Sequence, residues 1–177
     1  MSVEIVNATV DPGLFHAWGS HNKVYLIGSL RNPRVPEVAR GLRDLGFDVY
    51  DDWFAVGPEA DDHWKRYEQE RGRTYTEALS GWHAIQVFDD DRRHLDESEG
   101  CVLVLPAGKS AHMEFGYMIG RGKWGMILLD PDDDPRWDIM YQFAGAGVYE
   151  TLPGLLMAAG GMCFHEDLSR RPHARYT

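Results

Sequence analysis

Apolar and polar residues fall into two regimes along this chain. Short apolar runs, Lys23-Val24-Tyr25-Leu26-Ile27, Phe47-Asp48-Val49-Tyr50, Val102-Leu103-Val104-Leu105 and Gly125-Met126-Ile127-Leu128-Leu129, are each closed by glycine, proline or aspartate. Runs this short, rich in branched residues and bounded by turn formers, predict strands, the third of them buried on both faces. Between them the apolar residues change to helical spacing. Val35, Val38, Ala39, Leu42 and Leu45 form one such stripe, closed by Gly46. From Asp61 to about Ser98 the pattern is helical and charged, with Trp64, Tyr67 and Arg71 on one face and a kink at Arg71-Gly72-Arg73. A second helix then carries Ala78, Trp82, Ile85, Phe88 and Leu95 as its apolar stripe. Ser110 is placed to cap a helix starting at Ala111 and ended by Gly122, with Gly116 and Gly120 one turn apart to let it sit close on a sheet. Trp137, Met140 and Tyr141 predict a short amphipathic helix ending at Gly145 or Gly147. Val148-Tyr149 is a brief strand, and a last helix runs from Thr151-Leu152-Pro153 to about Ala159, stopped by Gly160-Gly161.

Strands alternating with helices predict an α/β fold: one domain built on a doubly wound, mostly parallel sheet of about five strands, flavodoxin- or Rossmann-like. That domain covers residues 23–160. Residues 1–22 read as an amino-terminal extension with a short edge strand around 4–8, and residues 161–177 as a loosely held tail.

Composition narrows the partners. The 44% hydrophobic share argues for a packed core rather than disorder, and the net charge of −10 argues against a general attraction to nucleic acid polymers or anionic membranes. Any phosphate has to be held by a local site. The start of the chain lacks a basic segment followed by an apolar one, and no apolar run approaches the roughly 20 residues that span a bilayer, so the expectation is a cytoplasmic protein. Cys101 and Cys163 are too few and too far apart for a disulfide framework or a metal cluster, and no cofactor is expected. The acidic loop Asp130-Pro131-Asp132-Asp133-Asp134-Pro135 lacks the alternation and glycine of a calcium loop and reads as a solvated turn.

In open α/β sheets ligands sit beyond the carboxyl ends of the strands, so the residues there are the candidates for chemistry. After the first strand come Gly28, Ser29, Arg31 and Arg34: a glycine permitting close approach, a hydroxyl and guanidinium groups suited to phosphate, or equally an ordinary strand-to-helix turn. After the second come Trp53 and Phe54, which serve either as a platform for a nucleobase or as loop packing. After the third comes Glu114, in the first turn of its helix, where the dipole and free N–H groups favour an ionised carboxylate. Such a group is a nucleophile, an anchor, or a residue chosen for the dipole alone. Asp91 fills the slot between Phe88 and Leu95 on the helical stripe and so points toward the core, where a carboxylate is costly unless paired or functional.

The stretch Ser110-Ala111-His112-Met113-Glu114-Phe115-Gly116-Tyr117, followed by Gly120 and Gly122-Lys123, resembles the nucleophile helix of the nucleoside 2-deoxyribosyltransferase superfamily, and the similarity runs from about Lys23 to Ala159. That superfamily includes base-exchanging transferases and nucleoside 5′-monophosphate N-glycosidases. The resemblance implies a double displacement at the anomeric carbon, with Glu114 attacking C1′ and Asp91 orienting the sugar or handling the proton of the leaving base. The Gly28–Arg34 loop and His112 look more like the nucleotide hydrolases, with Ser110 near the helix start able to receive a phosphate oxygen. The acid that the transferases carry a few residues before the nucleophile is replaced by Gly108-Lys109. The expectation is therefore hydrolysis of a nucleoside 5′-monophosphate, with base exchange as the alternative and an enzyme cleaving a nicotinamide dinucleotide or a non-catalytic nucleotide sensor as further ones. The stretch from Trp53 to Phe88 is longer and more aromatic than in the best-known members. It is the candidate surface for the homo-oligomers in which such sites are often completed.

Overall fold

The structure is a computed structural model that describes residues 22–131 and 138–163. Five strands, β1 (Lys23–Ile27), β2 (Asp48–Tyr50), β3 (Gly100–Val104), β4 (Trp124–Leu128) and β5 (Val148–Tyr149), form one sheet in the order β2-β1-β3-β4-β5. Every neighbouring pair is parallel, with Tyr25 opposite Tyr50 on one side and Cys101 on the other. The helices are α1 (Val35–Asp44), α2 (Ala60–Glu70), α3 (Tyr75–Leu79), α4 (Trp82–Glu97), α5 (Lys109–Gly120) and α6 (Leu152–Cys163), with short 3-10 turns at Asp52–Val56 and Ile139–Phe143. This is the α/β, flavodoxin-like architecture that the alternation predicts. The expected edge strand near 4–8, Trp137 and the tail beyond 163 lie outside the described residues.

Alternation along each strand divides the core into two layers. Val24, Leu26, Val102, Val104, Met126 and Leu128 point to the side covered by α1 and α6. Tyr25, Ile27, Cys101, Leu103 and Ile127 point to the side covered by α4 and α5. Burial on both faces is why these strands read as near-continuous apolar runs.

Three helical expectations are corrected. The expected stripe on the second helix is broken at Ser80-Gly81 into α3 and α4, and Trp82, Ile85 and Phe88 are exposed at 68%, 43% and 60%. The sheet lies under the carboxyl-terminal part of α4 only, so Leu95 alone of that helix is fully buried. Gly116 and Gly120 do not bring α5 down on the sheet, since a Cβ at either would meet nothing within 4 Å. The room is made by the strand: a Cβ on Gly125 would come to 2.6 Å from Ile119 and 2.8 Å from Phe115. Finally, α6 continues through Gly160-Gly161 to Cys163, because Leu155 and Ala159 hold it against α1 and the sheet.

Candidate active site

The strand order reverses between β1 and β3, which opens a crevice at their carboxyl ends. Glu114 reaches this region from α5. The helix begins at Lys109 with Gly108 as its extended cap, two residues before the expected start, so Ser110 is inside the first turn and does not cap. Glu114 is the sixth helical residue and has left the zone of free N–H groups. This overturns the expectation of a dipole-stabilised, ionised carboxylate. Burial first and the charge of Asp91 second push the Glu114 pKa up to about 7.

Asp91 sits on the face of α4 turned to β1. It is half-buried, and burial raises its pKa, opposed by a hydrogen bond from the Tyr25 hydroxyl to Oδ1 at 3.2 Å. Tyr25 is 1% exposed, and its own pKa is driven up by burial, then by Glu114 and then by Asp91. It therefore remains a protonated donor between two carboxylates. Sequence reading missed this residue, although a hydroxyl-bearing side chain on the α4/α5 face of a buried strand was the available signal. Behind Tyr25, Tyr50 packs at 5.1 Å and stacks on the His94 ring at 3.7 Å. Burial and the neighbouring aspartates Asp90, Asp91 and Asp52 push the Tyr50 pKa up to about 12.

The other expected residues divide. Gly28 is a packing necessity: a Cβ there would meet Val35 Cγ2 at 2.8 Å and the Trp53 ring at 3.5 Å. Trp53 donates its indole N–H to the Leu26 carbonyl at 2.8 Å and packs edge-on against Phe54, so these two rings wall the end of β1. Ser29 Oγ accepts from the Arg31 backbone, while the Arg31 guanidinium is paired with Asp62 at 2.6 Å. Arg34 is committed elsewhere, donating to the carbonyls of Leu129 (2.8 Å) and Leu105 (3.4 Å). Asn32, 2% exposed, donates to the carbonyls of Val104 and Pro106 and accepts from the Arg34 backbone. Together Asn32 and Arg34 staple the loop after β1 to those after β3 and β4. Nothing in the sequence pattern marked Asn32 for that.

His112 is not brought to Glu114. Two residues apart on a helix they point about 160° apart. His112 Nδ1 lies 2.8 Å from the Gly108 carbonyl, which can only accept, and Nε2 then accepts from the Tyr141 hydroxyl at 3.0 Å. The pair ties α5 to the crossover before β5.

Two shallow concavities lie apart from Glu114, one at the α3–α4 turn lined by Arg73, Thr76, Glu77, Ser80 and Gly81, the other on α4 beside Asp89, Arg92, Arg93, Asp96 and Glu97. Their charges are largely paired already, as in Arg73 with Glu68 and Arg93 with Asp90. No group of three or more metal-ligating side chains occurs among the described residues, and none of the described helices is long and apolar enough to cross a membrane.

No protein-family model matches the chain, and no curated protein matches it either. The class of site is defined by its parts: two acids with raised pKa values and a protonated phenol at the switch point of a parallel sheet. Such a pair can divide the roles of charged attacker and proton carrier.

Proposed function

We propose that the chain cleaves the N-glycosidic bond of a nucleoside 5′-monophosphate, releasing free base and sugar phosphate. The observation that carries this reading is the triad of Glu114, Asp91 and Tyr25 at the crevice between β1 and β3. Near neutral pH the acid pair holds one proton, mostly on Glu114, and the reactive arrangement is the one in which that proton has passed to Asp91. Ionised Glu114 attacks C1′, the C1′–N bond breaks, and Asp91 gives its proton to the departing base nitrogen. Water then attacks C1′ of the glycosyl ester, releasing Glu114 as carboxylate and returning a proton to Asp91. Tyr25 holds Asp91 in place through its hydroxyl. Because the pair must keep that proton, kcat/KM falls as pH rises through about 7, where Glu114 gives it up.

The phosphate side is supported by Ser29, by the uncapped start of α5 beside Ser110, and by Arg31. Arg31 is 58% exposed, and its ion pair with Asp62 is of the kind that contributes little, so exchanging Asp62 for a phosphate costs little. The engagement of Arg34 with backbone carbonyls supports a second reading, in which the substrate is an uncharged nucleoside and the glycosyl group passes to another base.

Chromatography of free base from a panel of ribo- and deoxyribonucleoside 5′-monophosphates and the matching nucleosides tests both. Release from monophosphates only, abolished in Glu114→Gln with binding retained, is the expected result. Release from nucleosides, or only with a second base present, selects the transferase. Binding without turnover in the wild type removes the glycosidase reading.

A further inference from the structure

We infer that Phe88, with Val87 beside it, is the platform on which the base of the substrate rests. This deepens the reading of Glu114 and Asp91 as a glycosidic site and rests on it for the position of C1′. The axis of α4 runs antiparallel to the strands. The helix feeds β3 at its amino end, so tracing it backwards from Leu95 to Phe88 climbs toward the carboxyl ends of the strands by roughly 10 Å. At 100° per residue, Val87, Phe88 and Leu95 all lie within about 60° of the direction of Asp91, whereas Trp82 points about 180° away. One face of the helix is thus buried at Leu95 (5% exposed), half-buried at Asp91 where Tyr25 holds it, and open at Phe88 (60%) and Val87 (63%).

The apolar strip therefore emerges from the core one turn above the carboxylate pair, on the crevice side. The Arg92 guanidinium lies 5.9 Å from the centre of the Phe88 ring, which leaves the opposite ring face to a ligand. A planar base leaving a C1′ held at Glu114 and Asp91 fits that place. An aromatic face with an aliphatic neighbour and no fixed donor or acceptor takes any base, larger ones better, since stacking follows ring area.

Three outcomes follow from kinetics and titration calorimetry on the wild type, Phe88→Ala, Phe88→Trp and Trp82→Ala, with nucleotide binding measured in the Glu114→Gln background. All three substitutions change exposed side chains and leave the fold intact, which circular dichroism verifies. The expected result is a rise in KM and Kd of roughly 5- to 100-fold in Phe88→Ala, larger for purine than for pyrimidine nucleotides. With it should come a smaller change in kcat, recovery in Phe88→Trp, and no change in Trp82→Ala. Turnover in the wild type with KM and Kd unchanged in Phe88→Ala overturns the platform and leaves the glycosidase standing. Binding that weakens in Phe88→Ala without turnover in any form supports the platform and removes the glycosidase.

Discussion

At the scale of single residues, the decisive feature is that Glu114 is destabilised by its own charge. Its pKa rises from an ordinary value of 4.5 to about 7, so the folded state holds the proton more tightly than the unfolded chain. The resulting stability is fully present below pH 4.5 and is lost as pH rises through about 7. With allowance for its partial exposure the loss is roughly 1–3 kcal/mol. Glu114→Gln, which cannot ionise, escapes it. The variant should melt near the wild type at pH 5 and roughly 3–10 °C above it at pH 8, as scanning calorimetry would record. A difference that does not change with pH would mean that Glu114 is not held in the environment described. The position of this residue was legible in sequence, but its ionisation was not. Ser110 offered a plausible cap and placed the helix start two residues late, whereas the start is set by Gly108 at the exit from the Pro106 turn. Asp91 was legible because it interrupts an apolar stripe. Tyr25 was not, because the Oη that matters lies beyond a ring indistinguishable in pattern from any core aromatic.

At the scale of elements, the strands followed from the apolar runs, since burial on both faces leaves little ambiguity in so short a segment, whereas their order β2-β1-β3-β4-β5 is seen only in the structure. The helices were harder. A glycine pair spaced by one turn in α5 looked like a close-packing device, yet the packing surface of that helix is Ala111, Phe115 and Met118, and Gly116 and Gly120 are exposed. The close approach depends on Gly125 of β4, on the other side of the contact. Gly116→Ala should therefore stabilise the protein by about 0.5–1 kcal/mol, through helix propensity and the reduced freedom of the unfolded chain. Gly125→Ala, forced against Ile119 and Phe115, should destabilise it by roughly 1–3 kcal/mol. Urea denaturation of both variants checks the pair. The reverse order would restore the helix glycines as the contact. In α4 the sequence pattern assumed that an apolar stripe is a buried one. That assumption fails where a helix outruns its sheet, and the excess apolar surface then stands beside the crevice.

At the scale of the whole molecule, the net charge of −10 and the position of the crevice act on one another. The acids Asp91 and Glu114 lie in the crevice, Arg31 is paired with Asp62, and Arg34 is turned to backbone carbonyls, so no large local excess of positive charge offsets the overall field. A nucleoside 5′-monophosphate is a dianion near neutral pH and approaches against that field, while an uncharged nucleoside does not feel it. Added salt shortens the reach of the field from about 30 Å at 0.01 M to about 8 Å at 0.15 M. For a monophosphate substrate, kcat/KM should consequently rise a few-fold over that range of sodium chloride, while values for a nucleoside stay constant. The slope carries information beyond substrate preference. A fall with salt would mean that Arg31 and the start of α5 dominate locally and steer the phosphate in, in which case Arg31→Gln should flatten the dependence. Stopped-flow and steady-state rates across the salt series, at fixed pH just below 7 so that the acid pair keeps its one proton, separate repulsion by the molecule from attraction by the site.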